Sequence, residues 1–219
     1  MKKNQISEFR HIFFDFDGTI CASEPDIKNG WLKVMEEMKL CNPEFDKLFQ
    51  VGPALPDMAK KLFPDLSQEI RDEIVVCFKK LYDMSDFPNT FPYPWINRWL
   101  MDLKSRGCDL YIVTNKLKHP TNFLVKKFNW DKLFTGVYSP DSFPDRTLNK
   151  SQLLAKVMDI HAVCRQQAVM VGDTSGDIIA GKNNGIATAG VTWGYGSEDE
   201  LTDAQCDILL SEKDLEQWL

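Results

Sequence analysis

The sequence predicts an α/β protein: a parallel, doubly wound core sheet whose first strand is followed by an all-helical insert. Three observations carry this expectation. Short, nearly continuous apolar runs end in polar or acidic residues, as central strands of a parallel sheet do. Stretches with a 3.6-residue apolar period separate these runs. Residues 21–94 carry the helical period alone, with no convincing strand.

The elements follow in order. His11-Ile-Phe-Phe-Asp15-Phe-Asp17 is the first strand, stopped by Gly18. In the insert, Ile27, Trp31, Met35 and Met38 form one helical stripe, and Ile70, Ile74, Phe78 and Leu81 a second. Phe91-Pro-Tyr-Pro94 reads as the return hinge. Trp95, Trp99 and Leu103 then mark a helix ended by Gly107. The run from Cys108 to Thr114 is the next strand. Phe123, Leu124 and Phe128 mark a helix with Pro120 near its start, and Leu153, Leu154 and Val157 mark another. Ala168 to Asp173 and Ile186 to Val191 are further strands, and Asp207 to Leu210 is a short edge candidate. The expected organisation is a Rossmann-like core of residues 1–20 and 95–219 with a helical cap of residues 21–94.

Composition narrows the function classes. The 219 residues are 43% hydrophobic, enough for a sizeable core. A net charge of −6 without basic clusters argues against a nucleic-acid polymer as partner and against a membrane surface. No run approaches the ~20 apolar residues of a membrane span, and the N-terminal segment lacks an apolar stretch of signal-peptide length. The six cysteines form no CxxC pair, so free thiols in a reducing cytoplasm are expected, with the chain a monomer or homodimer. His11, His119 and His161 have no metal-ligand spacing.

The chemistry concentrates in Asp15-Phe-Asp17-Gly18-Thr19. A turn that ends a strand explains Asp17 and Gly18 but leaves Asp15 without a reason, because an apolar strand gains nothing from an acid. Two carboxylates at a strand end call for a cation, and strand ends of open α/β sheets are where ligands bind. Asp173 and Asp177, around Thr174 and Ser175, form a second acidic strand end; helix capping and a metal role are both compatible with it.

With these residues in view, the chain resembles the haloacid dehalogenase-like hydrolases. DFDGT at 15–19 matches their first motif, Thr114-Asn115 the second, Lys150 the third and Val171-Gly-Asp173-Thr-Ser-Gly-Asp177 the fourth, in the family's order over essentially the whole chain. The resemblance implies Mg²⁺ as cofactor. It implies Asp15 as nucleophile and metal ligand, and Asp17 as general acid and base with its carbonyl on the metal. Asp173 becomes the main downstream ligand, and Asp177 a further ligand or an orienter through water. Thr114, Asn115 and Lys150 hold phosphate, Lys116, Lys118 and Arg146 being competitors for the lysine role. An acid at Asp17 fits phosphatases and mutases, not dehalogenases. The insert, Val51-Gly-Pro-Ala-Leu55 and Thr192-Trp-Gly-Tyr-Gly196 are similar to the phosphoglycolate phosphatase group. Arg146-Thr-Leu-Asn-Lys150 is closer to the 5′-nucleotidase-like branch, with one residue inserted. A small phosphorylated metabolite is therefore the expected substrate. Phosphoglycolate, a nucleotide or a sugar phosphate remain open, as do phosphoglucomutase-type transfer and a non-catalytic phospho-acceptor domain. Gly52, Asp57 and Lys60, with Lys61, are candidates for substrate specificity.

Overall fold

The computed structural model describes residues 6–144 and 148–216. In chain order its elements are β1 (His11–Phe14), β2 (Cys21–Ala22), α1 (Glu24–Glu37), α2 (Phe45–Leu48), α3 (Leu55–Leu62), α4 (Gln68–Asp83), β3 (Phe91–Pro92), α5 (Ile96–Ser105), β4 (Asp109–Val113), α6 (Lys118–Lys127), β5 (Phe134–Tyr138), α7 (Lys150–Ile160), β6 (Ala168–Gly172), α8 (Ser175–Asn183), β7 (Ala187–Val191), α9 (Glu198–Asp203), β8 (Ile208–Leu210) and α10 (Glu212–Glu216).

Six strands form a parallel sheet in the order β5-β4-β1-β6-β7-β8. The chain builds outward from β1 in one direction through β4 and β5, then in the other through β6, β7 and β8. β1 lies at the reversal, where a ligand crevice opens at the carboxyl ends of the strands. Ile12, Phe13 and Phe14 of β1 are fully buried, as are Val169, Met170 and Val171 of β6. Two-sided cover explains why these strands read as unbroken apolar runs. One layer contains Phe13, Tyr111, Leu153, Leu154, Val157 and Met170; Phe13 and Tyr111 stack with ring centroids 4.9 Å apart.

The chain divides into two compact units, residues 1–22 with 92–219 and residues 23–91. The second is helical. Ser67 caps α4 by accepting from the Ile70 amide. Trp31, Val34, Ile74, Val75, Phe78, Tyr82 and Phe87 are buried in this unit, and Trp31 lies 4.8 Å from Phe78, centroid to centroid.

Three details depart from the sequence reading. β5 was not foreseen: Phe-Thr-Gly-Val-Tyr is a sheet-edge strand with only Phe134 buried, so it has no apolar run. Residues 21–94 do contain extended structure, the two-residue strands β2 and β3. Ile70 is 38% exposed, and Val75 and Tyr82 are buried on α4 instead.

Candidate active site

Asp15 follows β1 and stays in the sheet, its amide donating to the Val171 carbonyl at 2.9 Å. Beyond it the chain must turn at once. Gly18 does this with φ +80°, and a β-carbon there would overlap the Asp173 carboxylate. The Gly18 amide donates to the Cys21 carbonyl at 2.8 Å, closing the loop that presents Asp15, Asp17 and Thr19.

Asp15 from β1, Asp173 after β6 and Asp177 from the first turn of α8 meet at one sheet edge. One oxygen from each lies within 4.8 Å of the others. Asp15 is 3% exposed, and Asp173 and Asp177 are fully buried. Lys150, opening α7, reaches both Asp15 Oδ2 at 2.9 Å and Asp177 Oδ1 at 2.6 Å. Burial by itself would lower the ammonium pKa, but Asp15 and Asp177 outweigh it and raise it above the ordinary lysine value. Asp177 also accepts from the Thr174 amide and hydroxyl, so it caps α8 while it pairs with Lys150. Its pKa is raised, first by burial and also by Asp15, against the pull of Lys150.

Asp173 is fixed from two sides. Thr19 Oγ1 donates to Oδ1 at 3.0 Å and the Tyr195 amide to Oδ2 at 2.8 Å. The Trp193 indole donates to the Thr19 carbonyl at 3.0 Å, tying the loop after β7 to the first motif. Burial, Asp177 and Asp15 push its carboxyl up to about 8.

At the end of β4, Thr114 Oγ1 accepts from the Lys116 amide at 3.2 Å, which leaves its hydroxyl proton to donate elsewhere. Thr114 is buried and Asn115 half-buried beside it. Lys116 Nζ lies 3.0 Å from Asp17 Oδ1.

The donor set fits a hard cation. All of its ligand atoms are oxygens, the choice of Mg²⁺. Asp15 Oδ1 is buried with no hydrogen-bond partner, an arrangement that is costly unless something positive completes it. Lys116 pairs with Asp17, and Lys150 with Asp15 and Asp177; with Asp173 these make four carboxyl groups to two ammoniums, and a divalent ion would balance the remainder.

Comparison with known proteins settles the family. The haloacid dehalogenase-like hydrolase family matches residues 12–191. This chain belongs to that family. A phosphoglycolate phosphatase of Aquifex aeolicus is 33% identical over 187 residues, 85% of this chain and 86% of that one. One of Neisseria gonorrhoeae is 30% identical over 211 residues, 90% and 88% of the two chains. A haloacid dehalogenase-like hydrolase from Streptococcus pneumoniae superposes with a TM-score of 0.83 at 26% identity, covering 97% of this chain and 98% of its own. The hydrolase is a phosphatase, an enzyme acting on phosphoric monoesters. No helix among its described residues is long and apolar enough to cross a membrane.

The remaining candidates of this haloacid dehalogenase-like hydrolase lie elsewhere. Gly52 is in a bend of the helical unit with φ +111°. Asp57 and Lys60 are exposed on α3 and, with Lys61 and Pro64, line an open concavity of about 370 Å³. All the acids of the cluster belong to the other unit. Arg146 lies outside the described residues. Two participants were not singled out from sequence. Thr19 could have been found as the hydroxyl of DFDGT. The amide of Tyr195 could not, since a main-chain donor leaves no side-chain signal.

Proposed function

We propose that the enzyme is a Mg²⁺-dependent phosphatase that hydrolyses a small phosphate monoester through an aspartyl-phosphate on Asp15, with phosphoglycolate the first candidate substrate. One observation carries the mechanism. Lys150 pairs with Asp15 Oδ2, while Oδ1 is buried without a partner and open to a cation, so the two oxygens of one carboxylate have different surroundings. Mg²⁺, with Asp15, Asp173, the Asp17 carbonyl and Asp177 as ligands or near-ligands, would supply the positive charge that lets two anions approach.

The side chains then divide the work. Asp15 attacks phosphorus, forming the acyl-phosphate bond as the ester oxygen departs. Asp17 gives that oxygen its proton; afterwards it takes a proton from the water that attacks phosphorus and frees Asp15. The Thr114 hydroxyl and Asn115 hold phosphate oxygens in line, and Lys150 neutralises the incoming charge. The helical unit serves as the cap, with Gly52, Asp57 and Lys60 as candidates for contact with the rest of the substrate.

The support for phosphoglycolate is the name carried by the Aquifex and Neisseria relatives. The test is kcat/KM for phosphoglycolate against a 5′-nucleotide and a hexose phosphate, with Mg²⁺ and with EDTA. Phosphoglycolate should lead, and chelation should abolish release. Turnover that survives complete metal removal, or persists in Asp15→Asn, would overturn the mechanism. A different leading ester would overturn only the substrate.

A further inference from the structure

Lys116 has no part in the scheme above, yet its placement is more constrained than a solvated lysine requires. Its side chain is 3% exposed and that of Asp17 is 11% exposed, and Nζ sits 3.0 Å from Oδ1. The backbone that carries it is fixed as well: the Lys116 amide donates to Thr114 Oγ1, and β4 is hydrogen-bonded to β1 along its length. Nζ lies 5.8 Å from the centroid of the Phe16 ring, the residue between the two acids. Desolvating an ammonium and a carboxylate together is unfavourable unless the geometry is good, so a pair of this kind brings little stability by itself. What such a contact can do is restrict the direction of the carboxylate.

A phosphate-binding role would be the other use of a buried ammonium at this edge. Lys150 already stands there, between Asp15 and Asp177, while Lys116 is directed at the acid two residues further on. A proton donor must lie within hydrogen-bond reach of the oxygen it serves, and a buried ammonium 3.0 Å from Asp17 Oδ1 narrows the staggered positions open to that side chain.

We propose that Lys116 is a positioning residue that aims the Asp17 carboxylate at the leaving oxygen, acting on proton transfer and not on phosphate binding. This rests on the reading of Asp17 as the proton-transfer group. Removing Lys116 should therefore matter in proportion to how badly the leaving group needs a proton. Alkoxide leaving groups need one; p-nitrophenolate does not.

The experiment compares wild type, Lys116→Met, Asp17→Asn and the double variant, each with Mg²⁺, on ethyl phosphate and p-nitrophenyl phosphate. Lys116→Met should lower kcat on ethyl phosphate by about 100-fold or more and on p-nitrophenyl phosphate by less than about 5-fold, with KM little changed, since general acid catalysis is at stake. Added to Asp17→Asn it should cost no more than about 2-fold, because two residues acting through one step are not additive. Lys116→Arg, which keeps the charge, should recover part of the ethyl phosphate rate. Equal losses on both esters, a raised KM with kcat retained, or additive losses in the double variant would each overturn the proposal. If Lys116→Met does not fold, Lys116→Gln on the same esters decides by the same criteria. A wild type with normal turnover whose Asp17→Asn variant shows no leaving-group dependence would instead bring down the role of Asp17, and this proposal with it.

Discussion

Two buried carboxylates, one in each unit, differ in how their oxygens are partnered, and the difference sets a structural acid apart from the proposed nucleophile. Asp26 of the helical unit is 4% exposed and accepts from the Asn89 amide at 3.0 Å, the Asn89 side chain at 3.1 Å and the Thr90 hydroxyl at 2.7 Å. Neutral donors partner both of its oxygens, and it links the start of α1 to the segment that leads out of the unit. Asp15 is equally buried, but it shares a cluster with two other acids, leans on one lysine and keeps an oxygen without a partner. Burial alone therefore says little about function. Whether both oxygens have a partner is what separates the two.

The largest effect should come from exchanging the two acids' fates. Asp15→Asn is expected to lower phosphate release by about 10⁴-fold or more, since the amide cannot form the acyl-phosphate, while Tm moves by no more than about 3 °C. Asp26→Ala should do the reverse. It strands three donors and is expected to cost about 2–4 kcal/mol of stability, with p-nitrophenyl phosphate turnover retained well below Tm. Urea melts and initial rates on both purified variants provide the check. A comparable loss of turnover in Asp26→Ala at low temperature would erase the distinction.

A smaller effect concerns pH. The Asp173 carboxyl, ordinarily near 3.8, is pushed up to about 8 in the folded protein by burial and by Asp177 and Asp15. Between those values the unfolded chain has released this proton and the folded chain retains it. Stability of the metal-free protein should thus fall as pH rises through that window. If Mg²⁺ binds this cluster as proposed, it would replace the proton, so its binding should tighten toward pH 8 with proton release, and the added Tm should grow with pH. Calorimetric titrations in two buffers of different ionisation enthalpy measure the proton directly. Metal affinity that is flat from pH 6 to 8 would contradict the cluster's role.

The smallest effect belongs to the exposed residues of α3. Asp57→Asn and Lys60→Gln should each change kcat/KM among natural esters by about 10-fold or less, and p-nitrophenyl phosphate less still. Gly52→Pro is a poor probe. A φ of +111° is far from the value near −65° that proline imposes, so it would disturb the bend whatever the substrate. Uniform changes across all esters would remove α3 from the specificity question.

Much of the fold was legible because the parallel strands are covered on both faces. β1, β4 and β6 announced themselves as apolar runs, and the polar residues just beyond them are brought to one edge: Asp15, Thr114 and Asp173. Lys150 and Asp177, from the first turns of α7 and α8, join them. What stayed hidden has physical reasons. β5 sits at the sheet edge with a half-exposed pattern, and β2 and β3 are too short for any period. The contact of Lys116 with Asp17 spans 99 positions, and a lysine's spacing in sequence says nothing of its reach. Gly194 stood out only within the family-like segment Thr192–Gly196, whereas a β-carbon there would overlap the side chain of Asp173. Close approach to that buried carboxyl is what the glycine permits.

The central place of β1 has a further consequence, for the order of events during synthesis. The strand pairs with β4 on one side and with β6, from Ala168 onward, on the other. The Thr19–Asp173 hydrogen bond closes over 154 residues. Such distant pairings form late, because a long loop must close before they contribute anything. If Asp15 is the nucleophile proposed above, a nascent chain would stay inert until the segment from Ala168 onward had docked against β1. Onset of turnover would time the completion of folding, not the appearance of Asp15.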